Sequence, residues 1–91
     1  MKAALKKVEF QLAAAHGSKV SVAGTFNNWD PEKNHMKENS VSGHYKTVIA
    51  MPPGKHEYKF VVDGEWSMDP NCSESVPNCQ GSLNSVICVQ S

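Results

Sequence analysis

Val8, Phe10 and Leu12 alternate with Glu9 and Gln11, the two-residue period of a β-strand with one wet face. His16-Gly17-Ser18 reads as a turn. Val20 and Val22 then resume the alternation on either side of Ser21, up to Ala23-Gly24-Thr25, and these first two strands are expected to pair as a hairpin. Asn27-Asn28 and Asp30-Pro31 cluster turn formers around Trp29, and the chain stays polar to about Gly43, which predicts a loop region. Tyr45, Thr47 and Ile49 alternate with Lys46 and Val48 until Pro52-Pro53-Gly54 stops the strand, because proline cannot donate to a ladder. His56, Tyr58, Phe60 and Val62 face one way and Glu57, Lys59 and Val61 the other. Asp63-Gly64 signals a two-residue hairpin into a short returning strand at Glu65-Trp66. Ser67 to Gly81, with its prolines, asparagines and cysteines, is expected to be an ordered but irregular loop, and Val86-Ile87-Cys88-Val89 to form the last strand.

No stretch sustains a 3.6-residue period with caps, so helix content should be low. Six to eight short strands, with turns about every eight to twelve residues, predict an all-β sandwich of two antiparallel sheets. The 91 residues suit one domain spanning 1–91 and are too few for two. With 40% apolar and 20% charged residues, the chain is neither collagenous, coiled-coil nor disordered. A core this small leaves little volume for a deep cavity, so a surface site is favoured.

Charge narrows the function classes. Nine lysines balance nine acidic residues and arginine is absent, which argues against nucleic acid, whose phosphates call for a basic face. The apolar stretches are too short to cross a membrane as a helix. Lys2 and Ala13-Ala14-Ala15 mimic the ends of a signal peptide, but Lys6, Lys7, Glu9 and Gln11 interrupt the middle. Three cysteines, Cys72, Cys79 and Cys88, without a C-x-x-C pair fit a reducing, cytoplasmic setting better than a disulfide framework. His16, His35, His44 and His56 stand at no ligand spacing with them, so neither a metal nor another cofactor is expected. There is no nucleophile elbow, phosphate loop or H-E-x-x-H, and Asp63, Glu65 and Asp69 read as solvated turn residues. The chain is read as a non-enzyme.

The two tryptophans are more informative. Trp29 lies in Phe26-Asn27-Asn28-Trp29-Asp30 and Trp66 follows Asp63-Gly64-Glu65; neither sits in an apolar alternation, whereas Phe26, directly after the second strand, is assigned to the core. An exposed indole is a large flat apolar surface that something usually covers. The C–H face of a glucose ring is a suitable cover. Two such platforms flanked by asparagine, serine and lysine would read consecutive sugars; the bland alternative is that the indoles pack over an end of the sandwich.

Val20-Ser-Val-Ala-Gly-Thr-Phe-Asn-Asn-Trp29, Met51-Pro-Pro-Gly-Lys-His-Glu-Tyr-Lys-Phe-Val-Val-Asp-Gly-Glu-Trp66 with Asp69-Pro70, and Gly81-Ser-Leu-Asn-Ser-Val86 together resemble the glycogen-binding domain of AMP-activated protein kinase β subunits. That domain belongs to carbohydrate-binding module family 48, related to the N-terminal domains of isoamylase and branching enzymes. The resemblance covers almost the whole chain. It implies an immunoglobulin-like, early-set sandwich that binds α-1,4-linked glucan (glycogen, starch or malto-oligosaccharide), and a kinase or glucan-metabolising enzyme as a partner. By position it implies stacking on Trp29 and Trp66, hydroxyl contacts from Lys59 and Asn84, and Ser82 in place of a threonine. Gln80 stands where the family has a leucine that projects into the coil of a bound glucan. A glutamine can still touch sugar, but the apolar peg is gone. Shallow stacking with solvent-competed hydrogen bonds implies a dissociation constant of about 10 μM to 1 mM. The competing reading is a protein-interaction domain that docks on a kinase or enzyme and has no sugar affinity of its own.

Overall fold

The computed structural model describes residues 5–39, 41, 43–72, 74–78 and 81–90. Among them are eight strands: β1 Lys6–Ala13, β2 Val20–Gly24, β3 Lys37–Asn39, β4 His44–Met51, β5 Gly54–Val62, β6 Glu65–Ser67, β7 Ser75–Pro77 and β8 Leu83–Val89. The sole helical element described is a single 3-10 turn at Thr25–Asn27. All strand pairs are antiparallel, and they form two sheets. One has the order β1-β4-β3, the other β2-β5-β8-β7 with β6 added to β5. This is the expected all-β, immunoglobulin-like sandwich. No helix among the described residues is long and apolar enough to cross a membrane.

The two-residue alternation becomes the two faces of each sheet. Phe10, Leu12, Tyr45 and Met51 from the first sheet are buried against Val20, Val22, Tyr58, Phe60 and Val89 from the second. Phe10 is the junction. Its ring lies 5.0 Å from Tyr58, 6.4 Å from Phe60 and 5.7 Å from Phe26, so one side chain of the first sheet meets an aromatic cluster of the second, in edge and offset geometries that rings favour. Phe26 packs against the core as expected.

The predicted β1–β2 hairpin does not form. β1 pairs along its whole length with β4, and β2 with β5, so the two strands belong to different sheets. The connection is held across the gap by Tyr45, whose hydroxyl donates to the Ala15 carbonyl (2.8 Å) and accepts from the Ser18 N–H (3.0 Å). Both inner faces are apolar, and burying them requires the chain to cross from one sheet to the other; local turn chemistry does not encode that choice.

Two further strands, β3 and β7, lie inside segments expected to be loop. Both have three residues, and both sit at a sheet edge, where polar residues and a proline such as Pro77 are tolerated because no neighbour needs the outward N–H. Met36, just before β3, reaches the core from the same polar segment. The Asp63-Gly64 turn behaves as predicted: both residues take positive φ, 51° and 86°, the backbone of a tight hairpin matched to strand twist, and Val61 stands opposite Trp66.

Candidate functional site

The outward face of β5 carries Glu57, Lys59 and Val61 in sequence steps of two, and the strands on either side add their own outward residues. A half-open groove of about 870 Å³ lies over this face, lined by Thr25, Trp29, Glu57, Lys59, Trp66, Pro77, Asn78 and Asn84. Four residues named from the sequence, Trp29, Lys59, Trp66 and Asn84, therefore share one wall system. Ser82 adjoins it: its hydroxyl accepts from the Lys59 ammonium (3.0 Å) and from the Asn78 amide (2.7 Å). Gln80, like Cys79, lies outside the described residues.

The two indoles are not equally bare. Trp66 is 46% exposed, on a three-residue strand that, among the described strands, pairs with β5 alone. Trp29 is half-buried, a correction to the reading of both indoles as exposed platforms. Its backbone explains this. Asn28 and Trp29 both adopt left-handed φ, 58° and 59°, and the Trp29 N–H returns to the Gly24 carbonyl (2.9 Å). The loop is thus folded back on the sheet. A bulky residue at positive φ is costly, of order 1–2 kcal/mol, and persists only where its surroundings hold it.

Asn27 does the holding. It is buried, and its side chain accepts from the Gly24 N–H (2.9 Å) while donating to the Val22 carbonyl (3.0 Å) and to Asn34 Oδ1 (2.7 Å). This amide locks the start of the loop to β2. From the sequence it is one of two adjacent turn-forming asparagines, with nothing to show that it points inward. Gly24 supports the same corner by being small: a Cβ there would lie 2.6 Å from Phe26 Cε2, 2.9 Å from Tyr58 Cβ, and against the Glu57 carbonyl oxygen.

The polar wall is a connected network. Asn84, buried, donates to Glu57 Oε1 (2.9 Å) and accepts from the Asn78 amide (3.0 Å); Asn78 Oδ1 in turn accepts from the Ser82 N–H (3.1 Å). Fixing these side chains in advance means a ligand need not order them. Glu57 is a groove residue that sequence reasoning missed, although its two-residue offset from Lys59 was a usable signal. Pro77 and Asn78 had no such signal, because they reach the groove through β7.

Asp69, expected to be a solvated turn residue, instead accepts from the Tyr58 hydroxyl (2.7 Å) and anchors two N–H groups, with its own N–H on Ser85 Oγ (2.9 Å). Burial, then the Asp69 carboxylate, push the Tyr58 phenol well above its ordinary range. Asp63 similarly accepts from the Lys19 N–H (2.8 Å). Both carboxylates bind structure, on the loops that flank β6. Cys72 and Cys88 are free thiols, and among the described residues no group of three or more His, Cys, Asp or Glu could hold a metal ion.

The model of the glycogen recognition site of AMP-activated protein kinase matches residues 7–91. The chain belongs to this glycogen-recognition family. Similar curated proteins are AMP-activated protein kinase β subunits. The β-1 subunit of Sus scrofa is 37% identical over 75 residues, covering 81% of this chain and 57% of the relative. The β-1 subunit of Bos taurus is 39% identical and the human β-2 subunit 37% identical, each over 81% of this chain and 26% of the relative. The chain thus spans from about a quarter to just over half of these relatives. The groove over β5 brings two indole rings and several hydrogen-bonding side chains onto one surface.

Proposed function

We propose that the chain is a non-catalytic module that binds α-1,4-linked glucan in the groove over β5. Sugar rings stack on Trp66 and on the accessible part of Trp29, while Lys59, Ser82 and Asn84 hydrogen-bond their hydroxyls. The observation that carries this reading is that both indoles line the same groove as Lys59 and Asn84. Gln80 is proposed to contact sugar at the rim as a polar replacement for an apolar peg. The whole of residues 1–91 acts as one binding domain, and by kinship its partner beyond glucan is an AMP-activated protein kinase assembly.

The energetics suit a weak grip. An open groove leaves much of the ligand wet, and each hydroxyl contact displaces a comparable bond to water, so about −7 to −4 kcal/mol is expected. Many such contacts with a polymer still retain the module, because the second binding event is intramolecular. Titration of maltoheptaose followed by calorimetry tests the proposal. Trp66→Ala removes a half-exposed ring, leaving the fold intact, and is expected to lower affinity about 30-fold, the effect of losing a 2 kcal/mol aromatic contact. Equal heats from wild type and variant would remove the platform. Failure of the folded wild type to co-sediment with insoluble starch would favour the protein-docking reading instead.

A further inference from the structure

Trp66 is shared between two cavities. Besides the groove, it borders a second pocket of about 190 Å³ together with Lys19, Ser21, Pro31, Glu32, Val61 and Gly64. The two are consecutive along β5. Glu57 and Lys59 face the first; Val61, the next outward residue, and Gly64 in the following turn face the second. Each outward step on a strand advances about 6.5–7 Å, so the pocket begins one step further along the sheet, at the row of Val61, where Ser21 and Trp66 flank β5 on opposite sides. The loop that carries Trp29 into the groove carries Pro31 and Glu32 into the pocket.

The interior of this pocket is chemically mixed. Val61 is buried on its floor and, with Pro31 and Trp66, provides apolar contact. Ser21 stands opposite Val61 across the β2–β5 ladder and is 4% exposed. Its hydroxyl has no hydrogen-bond partner among the described residues, and it is not one of the sealed polar atoms, of which the described structure has none. A hydroxyl in this position takes its partner from whatever fills the pocket. Lys19 and Glu32, paired at 3.6 Å and each about two-thirds exposed, form a rim able to donate to and accept from ligand hydroxyls. The volume equals the liquid share of about six waters, room for one pyranose ring and not for two.

We infer that this pocket is a further sugar subsite, which takes the next glucose unit of a chain that leaves the main groove over Trp66. The inference rests on the glucan reading above and adds a length preference to it: a linear α-1,4-glucan long enough to cross Trp66 binds more tightly than one that fills the groove alone. Ser21 donates to or accepts from a hydroxyl of that unit, and its C–H face lies on Val61 and Pro31.

The test is a series of linear maltooligosaccharides from three to seven units, titrated calorimetrically against wild type, Ser21→Ala, Ser21→Val and Trp66→Ala. Ser21→Ala removes only the hydroxyl. Ser21→Val keeps a strand-compatible side chain while filling the pocket, and circular dichroism establishes that each variant is folded. In wild type, affinity is expected to rise about 5- to 10-fold at the length that first spans Trp66. Ser21→Val is expected to abolish that step while leaving the shortest ligand unchanged, and Ser21→Ala to reduce it. Amide shifts of Lys19, Ser21 and Gly64 should respond to the long ligand only. A length step that survives in folded Ser21→Val or is undiminished in folded Ser21→Ala, or amide shifts that do not depend on length, would overturn the subsite while leaving the main groove standing. If wild type binds no glucan of any length, or Trp66→Ala binds every length as wild type does, the parent reading fails instead.

Discussion

Replacing Asn27 by alanine should damage both the fold and the proposed grip on sugar, in proportions that the structure sets. The side chain is buried and makes three hydrogen bonds, to the Gly24 N–H, the Val22 carbonyl and Asn34. Truncation leaves the Gly24 donor without a partner inside the corner, which costs about 1–3 kcal/mol. The other two bonds together add about 1 kcal/mol, since Asn34 is only half-buried and water can replace its share. The sum is about 2–4 kcal/mol, well inside the roughly 5–15 kcal/mol that holds a typical domain together. The variant should therefore fold, with a melting temperature lowered by about 8–32 °C at about 4–8 °C per kcal/mol. Below that transition the loop bearing Trp29 loses its anchor, while the left-handed backbone at Asn28 and Trp29 still favours release. Maltoheptaose affinity should fall about 10-fold. Urea unfolding followed by circular dichroism gives the first quantity and calorimetry the second. Asn28→Gly is the control: the site is exposed and left-handed, so glycine should be neutral or stabilising. An Asn27→Ala protein within about 0.5 kcal/mol of wild type would refute the argument that this amide supports the corner.

Other expectations follow from particular contacts. Gly24→Ala places a Cβ against the Glu57 carbonyl and the Tyr58 and Phe26 side chains; overpacking of this kind should cost about 1–3 kcal/mol in urea unfolding, and a neutral result would mean the corner is looser than drawn. Glu57→Ala removes the acceptor of the Asn84 amide and should weaken glucan binding more than Glu57→Gln, which retains a carbonyl for that bond; calorimetry ranking them the other way would place Glu57 outside the network. Tyr58, with its phenol pushed upward by burial and Asp69, binds its proton more tightly folded than unfolded. Its contribution is complete below about pH 10, the ordinary tyrosine value. It is lost as pH rises further, because there the unfolded chain releases a proton that the folded one keeps. Tyr58→Phe should be less stable than wild type by about 1–2 kcal/mol near neutrality, with the gap narrowing above pH ~10; a constant gap across the pH series would contradict the shifted phenol.

The alternation of apolar and polar residues by itself determined the strands that line the core, the Asp63-Gly64 hairpin and the sandwich class, because side-chain direction in a strand repeats every two residues whatever the rest of the chain does. The motifs around Trp29, Lys59, Trp66 and Asn84 also made their convergence readable through resemblance. What the pattern did not contain was partner choice. Whether β1 pairs with β2 or with β4 depends on how two apolar faces close on each other, a property of the assembled sheets, and the same closure drew β3, Met36 and β7 out of polar segments that read as loop. The site divides in the same way. Trp66 is half-exposed on the short added strand β6, and Trp29 is half-covered on a loop that Asn27 ties back to β2. Glu57 joins Asn84, and Ser21 faces a pocket beside Val61, across ladders between strands distant in sequence. Those relations depend on register and burial, which exist only once the sheets have formed.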